Sequence, residues 1–367
     1  VPLEEFSPSF LGVYRKVMVI EDEIVRYAAK YGVDVALARA VCMYESGGNA
    51  DLQSSAGANG YFQVMPSTFR LMRVKTNVEA GIKYLGQLVK QFGREDYALA
   101  AYNGGPGRVA ARRPMPLESL QYVIGVGIYR SVLKLHEPSV RVHAARLGLT
   151  EVQSGEDWWE LGRRLNLTVT QLRLHNPFLA ARPLRAGYRV AYPREPRNDV
   201  FADGGPSRYR TLLGDNYFKV AFTLGVDLDL LRDANQLWRL QPLWPGTELV
   251  IPSDPSVTFT RHTAAAGDDL ARLAARLKVD PWDLVRDNHL WTEEVREGMV
   301  LQVRRARPAP APERAPEPAF RVHRVRAGET LIELARRYQT TVRAIQAANA
   351  LGRRTLVKVG QQLRIPQ

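Results

Sequence analysis

The chain has 367 residues, of which 45% are hydrophobic and 24% charged, with a formal net charge of +13 and one cysteine. That length asks for two or more domains, and the composition is that of globular protein. One cysteine excludes intrachain disulfides and cysteine-based metal clusters, and no apolar run is long enough to span a bilayer. The excess of arginine suits an anionic polymer: nucleic acid, anionic lipid or a wall carrying free carboxylates. It is spread along the chain rather than clustered with stacking aromatics, so nucleic acid is not an expected partner.

In chain order, Gly32 breaks one helical pattern and Asp34 can cap the next. Ala38, Val41 and Cys42 then fall on one face at helical spacing, and Glu45 continues that face in the run Tyr44-Glu45-Ser46-Gly47-Gly48. Two readings are open: a helix-end glutamate curling into water, or a buried acid kept protonated by desolvation and the negative helix end. Further on come Gly60-Tyr61-Phe62-Gln63-Val64-Met65-Pro66, a helix around Ala80 and Ile82, and Ala101-Tyr102-Asn103-Gly104-Gly105-Pro106. The last run stops a helix beside a tight loop. Tyr122 lies in a following apolar segment. Gln63, Tyr102 and Asn103 are neutral hydrogen-bonding groups, suited to hydroxyls and acetamides. The second acid expected of an ordinary glycosidase is missing from these motifs: Asp51 and Asp96 fall in polar loops and Glu79 in a helix.

The rest of the chain repeats itself. Gly155, Gly214, Gly267 and Gly328 are each followed by an acid, Glu156, Asp215, Asp268 and Glu329. An asparagine follows each glycine at an offset of 21: Asn176, Asn235, Asn288 and Asn349. Each copy reads as strand, two capped helices and a returning strand, a β-α-α-β unit. The expected architecture is multidomain α+β: a mainly helical domain over 1–140, then modules at 145–195, 206–254, 259–304 and 320–367. A Pro/Ala-rich stretch over 305–319 reads as an extended spacer before the fourth module.

The repeat resembles the LysM domain, most closely in Gly328-Glu329-Thr330-Leu331 … Asn349 … Gly360-Gln361-Gln362-Leu363 … Ile365-Pro366. The first two copies are diverged. The resemblance implies glycan binding through N-acetylglucosamine units, with contacts at Gly328, Glu329, Thr330 and Leu331 and at Asn349, Ala350 and Leu351. The residue-level reading, in which the repeated Gly and Asn only shape turns, stays open beside it.

The order of motifs in the first third resembles the soluble lytic transglycosylase family, over residues 19–129. It implies a goose-type lysozyme-like, mainly helical fold with Glu45 as sole catalytic acid/base. Ser54 would help position it, Gln63 and Met65 would line the glycan cleft, and Tyr102 would approach the carboxylate beside Asn103. Tyr122 matches a further cleft tyrosine, while Tyr61-Phe62 departs from the usual aliphatic pair. The implied reaction cleaves the MurNAc-GlcNAc β-1,4 bond of peptidoglycan with 1,6-anhydromuramic acid ends. No cofactor, metal or integral membrane segment is expected, and the chain is read as a monomer in a bacterial periplasm or envelope after signal-peptide removal. The alternatives are a muramidase of the same fold, a non-catalytic wall-binding protein, and a cysteine peptidase built on Cys42 and His136.

Overall fold

The computed structural model describes residues 1–196, 200–201, 208–238, 240–305, 320–326, 329–338, 340–349, 351, 355 and 357–366. It divides into two compact units, Val1–Arg305 and Ala306–Gln367. The Pro/Ala-rich stretch expected as a spacer lies outside the described residues from 306 onward.

The first unit opens with eight helices: α1 (Pro8–Val17), α2 (Glu21–Tyr31), α3 (Val35–Glu45), α4 (Pro66–Met72), α5 (Asn77–Phe92), α6 (Glu95–Gly104), α7 (Pro106–Ala110) and α8 (Leu117–Ala145). Gly32 ends α2 in the left-handed region, and the Asp34 side chain caps α3 by accepting the Leu37 N–H at 2.8 Å. Helix α3 is almost wholly buried, as a continuous Ala/Leu/Val/Cys/Met run requires. Its buried Arg39 is matched by Glu21 of α2 and Glu137 of α8, so this cation has two carboxylates. Phe10 of α1 and Tyr44 of α3 both meet the Tyr129 ring of α8 edge-on. Helix α8 continues to Ala145, beyond the expected domain end at 140, with Pro138 inside it. Among the described residues no helix is long and apolar enough to cross a membrane.

Three copies of the repeat complete this unit. The first is β1 (Gly148–Glu151), α9 (Trp158–Leu165), α10 (Val169–His175), a short α11 (Pro177–Ala180) and β2 (Arg189–Tyr192). The second is β3 (Arg208–Arg210), α12 (Tyr217–Leu224), α13 (Leu228–Ala234) and β4 (Glu248–Val250). The third is β5 (Thr258–Thr263), α14 (Leu270–Leu277), α15 (Pro281–Asp287) and β6 (Val300–Arg305). The second unit is the fourth copy: β7 (Phe320–Arg324), α16 (Leu331–Arg337), α17 (Val342–Ala348) and β8 (Gln362–Pro366). In every copy the two strands form an antiparallel pair.

The repeated asparagine holds each copy shut. Asn176 Nδ2 donates to Leu172 O at 2.8 Å and to Ala191 O at 2.6 Å, while its Oδ1 accepts the Ala191 N–H at 3.0 Å. Asn235 does the same with Leu231 and Val250, Asn288 with Leu284 and Gln302, and Asn349 with Ile345 and Arg364. One amide thus ends the second helix and fastens it to the closing strand. The repeated acid performs a second local task by accepting a backbone N–H three residues upstream: Gln153, Leu212, Ala265 and Arg326. Glu156, Asp268 and Glu329 also pair with an arginine eight residues on, Arg164, Arg276 and Arg337.

The second copy breaks this last rule. Thr223 stands where the arginine would be, and its hydroxyl has no partner among the described residues. Asp215 instead accepts Ser7 Oγ–H at 2.5 Å and the Tyr209 hydroxyl at 3.0 Å. Around it Leu213 exchanges backbone bonds with the N-terminal segment, its N–H to Glu5 O at 2.8 Å and its C=O from Ser7 N–H at 2.9 Å. Burial pushes the Asp215 carboxyl up to about 6. The second copy is therefore docked on the helical domain by main chain and a buried acid.

Asn176 is fully buried, so Asn176→Ala leaves the Ala191 N–H and C=O without partners. Chemical denaturation of the variant should show a loss of about 2–4 kcal/mol. An unchanged midpoint would mean the amide is not what closes the module.

Candidate active site

Glu45 is the last residue of α3, and the turn after it is fixed from several sides. The Ser46 hydroxyl donates to Tyr61 O at 2.7 Å, and Asn49 Nδ2 donates to Ser46 O at 2.6 Å. The buried Lys16 of α1 donates to Asn49 Oδ1 at 3.1 Å. Gly47 and Gly48 have φ of 62° and 72°. A Cβ on Gly47 would sit 2.2 Å from the Phe178 ring, and one on Gly48 2.8 Å from Lys16 Cβ. Glycine is required at both, by backbone conformation and by close approach.

The Glu45 carboxyl opens into a cleft of about 370 Å³. Tyr44, Asn103, Glu118 and Tyr122 line it from the helical domain. Phe178 of α11 and Phe218, Lys219 and Phe222 of α12 form the opposite wall. The Tyr122 hydroxyl donates to Glu45 Oε1 at 2.7 Å. Burial pushes the Glu45 carboxyl up to about 7, while the Tyr122 bond and the Lys219 charge pull the other way. Of the two readings of Glu45, the structure carries the buried acid, and desolvation is the leading cause.

The remaining residues singled out in the sequence fall into distinct positions. Tyr102 donates to Phe62 O at 2.8 Å rather than to the carboxylate, so the tyrosine bonded to Glu45 is Tyr122. Ser54 Oγ accepts the Ala58 N–H at 3.0 Å and shapes its own loop, with no hydrogen bond to Glu45. Gln63, at φ 45°, donates its amide to Leu52 O at 2.8 Å and Gly60 O at 2.9 Å. Met65 is exposed at the start of α4, and Asn103 Oδ1 accepts from Ser119 Oγ at 2.8 Å at the cleft edge.

In the fourth copy the expected sugar contacts are largely spent on the fold. Leu331 is in the core, and the Asn349 amide is occupied by three backbone bonds. Glu329 is taken by the Arg326 N–H, His323 and Arg337. Thr330 accepts the Glu333 N–H at 3.3 Å, and Leu351 packs on the core. The Leu331 side chain is thus buried, and both Asn349 amide protons are used within the module. Gly328 and Ala350 lie outside the described residues.

Sequence reasoning missed the modular wall, and it missed Glu118. One signal was available: the second copy alone lacks the arginine that answers the repeated acid, which marks its surface as used differently. Of the other carboxylates, Glu79 is held by Lys30 at 2.7 Å and Tyr31 at 2.8 Å, and Asp96 by Arg94. Cys42 is fully buried and desolvation raises its thiol far above the ordinary range, which removes the thiolate a cysteine peptidase needs. Among the described residues no three His, Cys, Asp or Glu side chains converge as a metal site.

Comparison with known proteins agrees with this division. A family model described as the transglycosylase SLT domain matches residues 22–114, and the LysM domain model matches 209–252, 262–304 and 323–366. Three LysM domains are thus matched where four were expected, although the first copy keeps the strand order and the asparagine clamp. The soluble lytic murein transglycosylases of Salmonella typhimurium and Escherichia coli K12 are 32% and 31% identical over 109 residues, 25% of this chain. A transglycosylase of Enterobacteria phage PRD1 is 33% identical over 84 residues, 21% of this chain and 32% of its own. The chain spans only 17% of the length of the two soluble enzymes. The solved lytic transglycosylase Slt of Pseudomonas aeruginosa is 28% identical over 32% of this chain and 24% of its own, with a TM-score of 0.28. The chain carries an SLT domain and three LysM domains, and is homologous over the SLT domain to soluble lytic murein transglycosylases.

Because the Tyr122 bond favours the ionised form, Tyr122→Phe should raise the Glu45 pKa above its value of about 7. Carboxyl ¹³C titration of labelled glutamate reads this directly, and an unmoved midpoint would contradict the geometry.

Proposed function

We propose that the protein is a peptidoglycan lytic transglycosylase that cleaves the MurNAc-GlcNAc β-1,4 bond with Glu45 as its acid and base. The observation that carries this reading is a carboxyl held protonated up to about 7 in a cleft, on an SLT domain. Glu45 first gives its proton to the glycosidic oxygen as the bond to C1 breaks. The resulting carboxylate then takes the proton of the muramic acid C6 hydroxyl while that oxygen bonds to C1. Water is not consumed, and the product ends in a 1,6-anhydro ring. An acid near neutrality serves both transfers, because it gives and regains a proton at comparable cost. The positive chain and the LysM copies hold the enzyme on its anionic polymer, where several weak sites raise effective concentration. The site of action is the cell envelope, with the protein working as a monomer.

A hydrolytic reading keeps one support: Glu118, exposed at the mouth of the same cleft one helical turn before Tyr122. Mass analysis of products from purified peptidoglycan separates the two, since hydrolysis gives reducing ends one water heavier. Anhydro ends, also formed by Glu118→Gln, are expected. Reducing ends that vanish with Glu118→Gln would replace the transglycosylase by a muramidase.

Glu45→Gln should abolish lysis and stabilise the fold in a pH-dependent way. The folded pKa lies above the ordinary value of 4.5, so the native state holds its proton more tightly than the unfolded chain. Native stability therefore falls as pH rises from about 4.5 through 7. The gain in melting temperature from Gln should be larger at pH 8 than at pH 5, and an equal gain at both would refute the raised pKa.

A further inference from the structure

The four copies of the repeat provide an internal comparison. The third residue of the first module helix is Glu160, Arg272 or Glu333 in the first, third and fourth copies, and each is exposed. In the second copy it is Lys219, buried at 4% exposure. Its Nζ lies 3.2 Å from the Phe178 ring centroid and 5.3 Å from that of Tyr44. Its ammonium donates no hydrogen bond to any described residue, yet the side chain lines the cleft with Glu45. Burial, and then the Lys16 charge, lower the Lys219 ammonium well below its ordinary range, and the Glu45 carboxylate is the group that pulls it back up. The ring faces offset part of the cost of burial by cation–π attraction.

The seam at Leu213 and Asp215 fixes where α12 begins, so the position of Lys219 is set by backbone pairing. The other titratable groups facing Glu45 are Tyr122 from α8, Tyr102 from α6, and Tyr44 and Cys42 from its own helix, with Glu118 at the mouth. None of these is a cation. Phe178, Phe218 and Phe222 complete the wall and carry no charge.

We propose that Lys219 is a positioning residue of the catalytic centre: the second module supplies it as the counter-charge to the carboxylate that Glu45 becomes between its two proton transfers. The inference rests on the reading of Glu45 as the acid and base of that reaction. When the Glu45 proton passes to the leaving oxygen, a negative charge appears in a place poor in water. Without a nearby ammonium that first transfer is uphill. With it, the carboxylate lasts long enough to take the C6 hydroxyl proton. Lys219 itself neither gives nor takes a proton in either step. The second module has thereby turned a surface position of the repeat into part of the cleft.

The test uses the full chain with ¹³C-carboxyl-labelled glutamate, comparing the wild type with Lys219→Met and Lys219→Arg. Lys219→Met should raise the Glu45 midpoint by about 1 pH unit or more. Lys219→Arg should restore it towards the wild-type value. On peptidoglycan, Lys219→Met should lower kcat on the order of tenfold with little change in KM. A Glu45 midpoint unmoved by Lys219→Met overturns the proposal, whatever the activity. A second measurement leaves the lysine in place: in Glu45→Gln, the ¹⁵Nζ signal of Lys219 should lose its proton at lower pH than in the wild type. An unchanged Lys219 titration there also overturns it. A shifted Glu45 midpoint in a protein that does not turn over peptidoglycan would uphold the coupling of the two charges and reject the enzymatic reading.

Discussion

The cleft at Glu45 depends on one seam, where Leu213 pairs by main chain with Glu5 and Ser7 and the buried Asp215 takes the Ser7 hydroxyl. Main-chain bonds have fixed geometry and cannot slide without leaving donors unpaired. They therefore set the start of α12 against the end of α3. Once that start is fixed, the α12 side chains have no freedom to avoid the Glu45 face. The apolar wall, the loss of water around Glu45 and its raised pKa all follow. An acid on the helical domain alone would keep more of its hydration.

The residues that fold each repeat and the residues that face outward are separate sets. The asparagine clamp and the acid latch act on main chain within one copy. Neither depends on what surrounds the module. This leaves the outer face of the first helix free to be an exposed Glu or Arg in three copies and a cleft wall in another. It also explains why the first copy keeps its fold while its sequence has moved outside the range the LysM model matches.

Much of the architecture was legible because it is written in local rules. Gly32 and Asp34 mark the limits of a helix by backbone conformation and capping, and both act so. The repeated glycine, acid and asparagine revealed the modules by spacing alone. Glu45 could be recognised because a charged residue continued an apolar face. Several of the neighbours could not, because they arrive from distant parts of the chain. Phe178 and Lys219 enter the cleft through tertiary docking, which no periodicity encodes. The exchange between Tyr102 and Tyr122 has a similar origin: they come from α6 and α8, and the packing of both helices on α3 decides which hydroxyl reaches Glu45. In the sequence the repeated asparagine reads equally as turn-former or sugar ligand. Its bonds to a strand fifteen residues away were invisible until that strand was in place.

Phe178 pressed onto Gly47 has a consequence for how such a chain can evolve. Binding modules are commonly thought of as cargo that recombination can add, remove or reorder at will. Here the first two copies complete the enclosure of Glu45, so they are inherited with the helical domain as one piece. The fourth copy is a compact unit of its own. Variation in module number within such chains should therefore be sought first in the copy that folds as its own unit.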